Sequence, residues 1–412
     1  MRLYKEFWLL CKKTWNFWRQ EKTSLEQGFI ALGICSLGGL VAGLALGSMV
    51  NRLELLPGLI ILIPAAIGMR GNVFGALGSR LGTLQHMGLF RLSRTRQELS
   101  YQNAHASLHL TLATALYLGI MAKIVALAFG IKGISLIEFL LISILGGVIS
   151  GTVIFFFTLL LALVCYRRQW DMDNISSPLI TVAGDAVTIP SLYLASLLVE
   201  IPWVTPLLSL FLCLISFWGI ASGFRDDLLI SRRIFRESLP VLALAGLIDL
   251  FAGTTLEHRL QIFISFPALL VILPSFLEDV GALGSILAAR LASKLHLGII
   301  SPQNLPDLPA LLDFTMILLF AAPVFSILGI SAHLAGYFVG LKSPGLGYLL
   351  FISLLAGYSS TIIALFVAYY AAIATFRYGL DPDNHGIPIV TSTMDFLGVL
   401  SLILTIMLLG VA

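Results

Sequence analysis

The chain has 412 residues, of which 58% are hydrophobic and only 11% charged, with a mean hydropathy of +0.96. A soluble core of this size does not need so much apolar surface, so lipid is the solvent for most of the chain. The formal net charge is +3, and the basic residues lie in short loops between apolar runs, which gives no reason to invoke a nucleic-acid partner. Cys11, Cys35, Cys165 and Cys213 are scattered with no CxxC pair. They read as small core hydrophobes, and neither redox chemistry nor a His/Cys metal cluster is expected.

In chain order, Met1 to Gln27 carries Trp8, Trp15, Phe17 and Trp18 among Lys and Arg. That pattern predicts a cytoplasmic amphipathic segment on the membrane surface rather than a cleavable signal peptide. Apolar runs long enough to span lipid follow at 28–50, 55–82, 106–130, 134–165, 176–200, 203–223, 238–256, 262–292, 308–338, 346–375 and 386–411. Open sheet edges do not survive in lipid, so the reading is an all-α polytopic membrane protein of about eleven transmembrane helices. With the N-terminus in the cytoplasm, Arg91, Arg94, Arg96, Arg167, Arg168, Arg225, Arg232, Arg233, Arg236 and Arg377 all fall on the cytoplasmic side. An odd number of spans then puts the C-terminus outside, as expected for a multi-pass protein of the plasma membrane.

The segment DMDNISSPLITVAGD at 171–185 recurs as DPDNHGIPIVTSTMD at 381–395, an offset of 210 residues. The same offset maps Pro64 onto Pro274, Gly71 onto Gly281, Arg80 onto Arg290, His86 onto His296 and Lys132 onto Lys342. One register held over that distance is the signature of duplication. Two five-helix repeats, 28–200 and 238–412, are therefore expected, joined by 201–237, a linker transmembrane helix with a basic cytoplasmic loop. The linker span makes the repeats parallel, related by a pseudo-twofold axis along the membrane normal. The result is a pseudo-dimer within one chain, compatible with a monomer in the lipid bilayer.

Asp185 and Asp395 occupy equivalent positions. Asp185 lies about nine residues into a helix starting near Ser176, roughly 14 Å deep at 1.5 Å per residue, close to the bilayer midplane. A carboxylate there is costly unless it faces a cavity, a partner or an ion, so a repeated intramembrane Asp is a functional candidate; the alternative is a buried Asp bonded to a neighbouring helix. Thr181 and Thr391 recur one turn earlier on the same face. Two carboxylates with hydroxyls and carbonyls around them make a hard oxygen site for a divalent cation, and charge alone does not separate Mg²⁺ from Mn²⁺ or Ca²⁺. Gly68, Gly71, Gly75, Gly78 and Gly82 form a small-residue strip bearing Asn72, and Gly281 and Gly284 continue it in the second copy. Such a strip serves either close packing or a path lined by backbone carbonyls. Glu138, Asp249, Glu278, Asp279 and Asp313 have no matching acid at the 210-residue offset. They are candidates for a coupling ion or for pairing with Lys123 or Arg70. The acidic runs 171–174 and 381–384 suit helix capping or a cation vestibule.

The stretch IPAAIGMRGNVFGALGSRLGTLQHMG and the two DxDN…P…T…D segments resemble the membrane domain of the MgtE magnesium-channel family. The tandem arrangement is similar to its fused relatives, solute carrier family 41. The resemblance covers both repeats. It implies Mg²⁺ as the transported ion, a pore on the pseudo-twofold axis, and pore-lining roles for Asn72, Thr181, Asp185, Thr391 and Asp395. The second copy departs from the family pattern at Glu278-Asp279-Val280-Gly281-Ala282, losing a polar ligand at Ala282 and gaining acids. The family's large cytoplasmic sensor domains have no counterpart ahead of residue 28, so regulation by that route is not expected. A Na⁺- or H⁺-coupled exchanger is the rival within transport, and a membrane enzyme or non-transporting sensor the rival outside it; no paired nucleophile and base favours an enzyme.

Overall fold

Apolar runs in lipid can satisfy their own backbone hydrogen bonds only as helices or closed barrels, and every element among the described residues is helical. The structure, a computed structural model, describes residues 13–19, 21–91, 93, 95–168, 172–380 and 385–410, with the backbone alone for 23, 24, 27 and 172–178. Eleven of the helices are long and apolar enough to cross a membrane. They are α1 (Lys22–Ser48), α3 (Leu59–His86), α4 (Leu99–Ala128), α5 (Leu136–Arg168), α6 (Met172–Leu197), α7 (Val204–Arg225), α8 (Leu229–Glu257), α10 (Ala268–His296), α11 (Leu308–Val339), α12 (Leu346–Tyr378) and α13 (Ile387–Leu408). Two single-turn helices, α2 (Val50–Leu55) and α9 (Leu260–Ser265), precede α3 and α10.

Several helices start earlier than their apolar runs. α4 begins at Leu99 rather than near 106, and α8 at Leu229 rather than 238, because hydropathy marks only the lipid-facing length while the helix continues through polar turns. The runs expected at 55–82 and 262–292 are each broken near their start. Pro57 and Pro267, 210 residues apart, end the preceding turn, and Gly58 enters α3 with φ +88°, where a side chain would be strained. Glu138, read as an intramembrane acid, instead accepts from the Ser135 N–H at 2.5 Å while Ser135 Oγ accepts from the Glu138 N–H, a capping box that starts α5. Residues 1–12 of the expected surface segment lie outside the described residues. Residues 13–19 are helical and dock on the second copy, with Trp18 Nε1 donating to Thr315 Oγ1 at 3.2 Å and Lys294 Nζ over the Phe17 ring.

The packing repeats with the sequence. α1 lies against α10 and α8 against α3, so the first helix of each copy crosses the glycine-bearing helix of the other. At those crossings Gly43 sits on the backbone of Val271 and Gly253 on the backbone of Ile61, with no room for a Cβ at either place. Both pairs obey the 210-residue offset with the partners exchanged, which is how an isologous twofold contact looks inside one chain. Within the copies, Ser143 Oγ donates to the Ala115 carbonyl at 2.7 Å and Ser353 Oγ to the Phe325 carbonyl at 2.8 Å. Each spanning helix comes six spans after its equivalent, α8 after α1 and α13 after α6, an even step that runs the copies parallel.

Candidate functional site

The crossing of the two copies gathers the acids. α6 packs on α3 and α1, and α13 packs on α10 and α8, which turns Asp185 and Asp395 toward the same interior. Asp185 is 2% exposed, and the two carboxylates are close enough to act on each other electrostatically. Because α6 begins at Met172, Asp185 falls near the middle of its helix rather than nine residues in.

The acids that seemed unmatched come in pairs once the fold is seen. Glu278 lies against Asp185, their carboxyl groups adjacent. The position of Glu278 in the first copy is Gly68, and there the space is filled by Asp249 from α8. A Cβ on Gly68 would stand 2.7 Å from Asp249 Oδ2 and 3.6 Å from Asp395 Oδ2. Asp249 in turn corresponds to Gly39. Asp185 and Asp395 thus each have one further acid beside them, supplied by the glycine-bearing helix α10 on one side and by the crossing helix α8 on the other. A same-position comparison cannot see this, because the acid and the glycine exchange places between the copies.

Few protein groups answer these carboxylates. Among the described residues no hydrogen bond reaches either oxygen of Asp249 or of Glu278, and the Asn72 Nδ2 and Ser392 Oγ atoms are buried and unpartnered as well. Ser392 stands beside Asp249 and Cys35 beside Glu278 without normal hydrogen-bond geometry. Asp279 is different: Ser36 Oγ donates to its two oxygens at 2.9 and 2.7 Å, and Ser275 Oγ holds the Ser36 carbonyl at 2.8 Å. The equivalent contact in the other half is apolar, Gly246 against Met69. Buried Arg70 does not turn to the acids; its Nη1 donates to the Gly147 carbonyl at 3.3 Å.

Of the remaining expected residues, Thr181 and Thr391 pack on the glycine-bearing helices beside this cluster and Asp313 lies apart from it. Gly71 faces the Thr181 methyl and Gly281 the Thr391 methyl, each with a Cβ-to-methyl separation of 3.8 Å. At these two positions the strip meets α6 and α13 at ordinary van der Waals distance, and Gly75 faces open space. Thr391 Oγ1 donates to its own helix at the Pro388 carbonyl, 3.0 Å, which leaves its lone pairs to accept or to coordinate. Asp313 lies at the end of α10 and α11 with Arg290 at 3.0 Å and Lys294 at 2.6 Å, rather than with Lys123 or Arg70, and Arg290 also reaches Glu21 at 3.2 Å. It is an ion-paired residue away from the crossing. Of the acidic runs, 171 and 381–384 lie outside the described residues, as do the side chains of 172–174.

Eleven helices long and apolar enough to span a membrane, five in each of two equivalent copies and one between them, define a polytopic membrane protein built by duplication. The profile of the MgtE family, described as divalent cation transporter, matches residues 63–195 and 273–405, and the chain belongs to that family. The two matched stretches stand 210 residues apart at both ends. Solute carrier family 41 member 3 of Rattus norvegicus is 25% identical over 397 residues, covering 90% of this chain and 84% of its own. Solute carrier family 41 member 2 of Homo sapiens is 25% identical over 373 residues, covering 82% of this chain and 62% of its own. No solved structure matches.

Proposed function

We propose that the chain transports divalent cations, Mg²⁺ above all, along a path on the pseudo-twofold axis between repeats 28–200 and 238–412, with the linker 201–237 setting them parallel. The observation that carries the reading is the buried, largely unpartnered acid cluster at the crossing. Carboxylates in a low-dielectric interior repel one another and must be neutralised by cations or protons. A divalent cation held between Asp185 and Asp395, with Glu278 and Asp249 behind them, answers that demand. Oxygen-only ligands with hydroxyls from Thr181 and Thr391 and the amide of Asn72 suit a hard cation that keeps part of its water. Gly68, Gly71 and Gly281 keep the path open between the helices. The distribution of the basic loops supports a cytoplasmic N-terminus, in keeping with a reading as a plasma-membrane protein.

One observation favours a coupled form of the same activity. A divalent ion is balanced by two charges, and Glu278, Asp249 and Asp279 exceed them, so these acids can carry Na⁺ or H⁺ in exchange. Asp279, with Ser36 on one side of the axis only, is the residue placed to do so. Purified protein in liposomes, assayed for Mg²⁺ uptake with and without imposed Na⁺ and pH gradients, tests both readings. Uptake that follows the Mg²⁺ gradient alone supports a channel, uptake that requires a second gradient supports exchange, and no uptake under any gradient overturns the proposal.

A further inference from the structure

At the end of the bundle opposite α2 and α9, three helices meet at a group of side chains that the transport reading does not use. His105 and His109 are one turn apart on α4, the i, i+4 spacing that sets two imidazoles on one helix face. Facing them, Asp226 lies in the short link between α7 and α8. Candidate ligand atoms of the three residues all fall within 4.8 Å of one another. His105 Nδ1 is 3.0 Å from Asp226 Oδ2 and 3.4 Å from Ser231 Oγ of α8. His109 is 4% exposed, yet neither of its ring nitrogens has a hydrogen-bond partner. Its ring is walled by His105, Trp218 and Phe235, with the Gly219 carbonyl beside it. A buried imidazole without a hydrogen bond of normal geometry loses the hydration of two polar atoms and regains little from the protein.

We propose that His105, His109 and Asp226 form a binding site for a borderline transition-metal cation of the Zn²⁺ class, distinct from the oxygen-lined site of the transported ion. Imidazole nitrogen with one carboxylate selects Zn²⁺ over Mg²⁺, because Mg²⁺ seeks oxygen ligands and sheds water reluctantly. Bonds of about 2.0–2.1 Å at tetrahedral angles set ligand atoms about 3.4 Å apart, so on binding the widest separation closes by up to about 1.4 Å and His105 and Asp226 part slightly. The Gly219 carbonyl is placed to accept the second N–H of His109, the usual support of a metal-bound imidazole. An adjoining cavity of about 500 Å³, lined by Tyr101, His105, Trp218 and Asp227 along with Arg96 and Arg225, admits the ion and gives room for a water at the fourth position. Asp226 and Asp227 offset the two arginines there.

The location gives the site a consequence. At the 210-residue offset the two histidines become Thr315 and Leu319, so only the first copy carries them, where it meets the linker. A metal bound there ties α4 of the first repeat to the junction of α7 and α8 that leads into the second. The site thereby fastens the two repeats at one end of the bundle.

The full-length protein in detergent, stripped with chelator, is titrated with Zn²⁺ alone and, separately, with Co²⁺. The expected result is one saturable Zn²⁺ per chain, not displaced by millimolar Mg²⁺, and visible Co²⁺ absorption of tetrahedral type. His109→Gln should weaken binding at least tenfold. If that variant fails to run as a single species on gel filtration, His105→Gln and Asp226→Asn, both at less buried positions, carry the same expectation. No saturable binding to the wild type, or unchanged binding in every folded variant, overturns the proposal.

Discussion

Asp249→Asn tests whether the acids without sequence counterparts act with the midplane pair. Asp249 Oδ2 and Asp395 Oδ2 stand 2.7 and 3.6 Å from a single point above Gly68, so they are no more than about 6 Å apart. At an effective dielectric constant of about 20, two ionised carboxylates at that distance repel by roughly 3 kcal/mol or more. A divalent ion about 4 Å from Asp249 is attracted by roughly 8 kcal/mol on the same scale. Removing the charge therefore loses roughly 8 and returns roughly 3 kcal/mol, a net loss of about 5 kcal/mol in ion occupancy. Water that penetrates the site reduces this, and a fall of about a hundredfold in Mg²⁺ uptake by proteoliposomes is the conservative expectation. The exchange of acid and glycine between the halves supplies a rescue. Asp249→Gly combined with Gly68→Glu gives the first half the arrangement that Glu278 and Gly39 already make in the second, and it should recover part of the lost rate. Uptake by Asp249→Asn within twofold of wild type would refute the reasoning.

Gly43→Ala and Gly253→Ala place a Cβ against the backbone of Val271 and Ile61; each should cost about 1–3 kcal/mol, seen as matched falls in Tm, and a fall in only one would break the equivalence of the crossings. Asp313→Asn removes the partner of Arg290 and Lys294 and should cost about 3–5 kcal/mol in stability, with the transport rate per folded molecule unchanged; a changed rate would return Asp313 to the ion path. Ser36→Ala takes the bifurcated hydroxyl hydrogen bond from buried Asp279 and should cost about 1–3 kcal/mol, with a change in gradient dependence larger than the change in Mg²⁺ affinity. Equal behaviour under all gradients would leave Asp279 a structural residue.

Much of this architecture is legible in the sequence. Eleven apolar runs become eleven helices, and the 210-residue register reappears in the reciprocal glycine crossings and in the paired Ser143 and Ser353 bonds. The helix starts are less legible, because polar first turns such as Leu229 to Glu237 continue a helix that hydropathy ends early. The acid cluster is only half legible. Asp185 and Asp395 stand out because they repeat, whereas Asp249 and Glu278 look isolated until α8 is seen to cross α3. No His/Cys metal cluster is expected from the sequence, although His105 and His109 have i, i+4 spacing; Asp226, more than a hundred residues away, comes beside them only when α7 and α8 pack beside α4.

The central claim, that one divalent ion is held between the two copies, is tested most directly by an experimental structure of the protein soaked with Mn²⁺ as a stand-in for Mg²⁺. Anomalous density between the carboxylates of Asp185 and Asp395, lost in the Asp185→Asn, Asp395→Asn protein, is the result this account predicts. Mn²⁺ density elsewhere in a folded protein that transports, with none between these two residues, would contradict it.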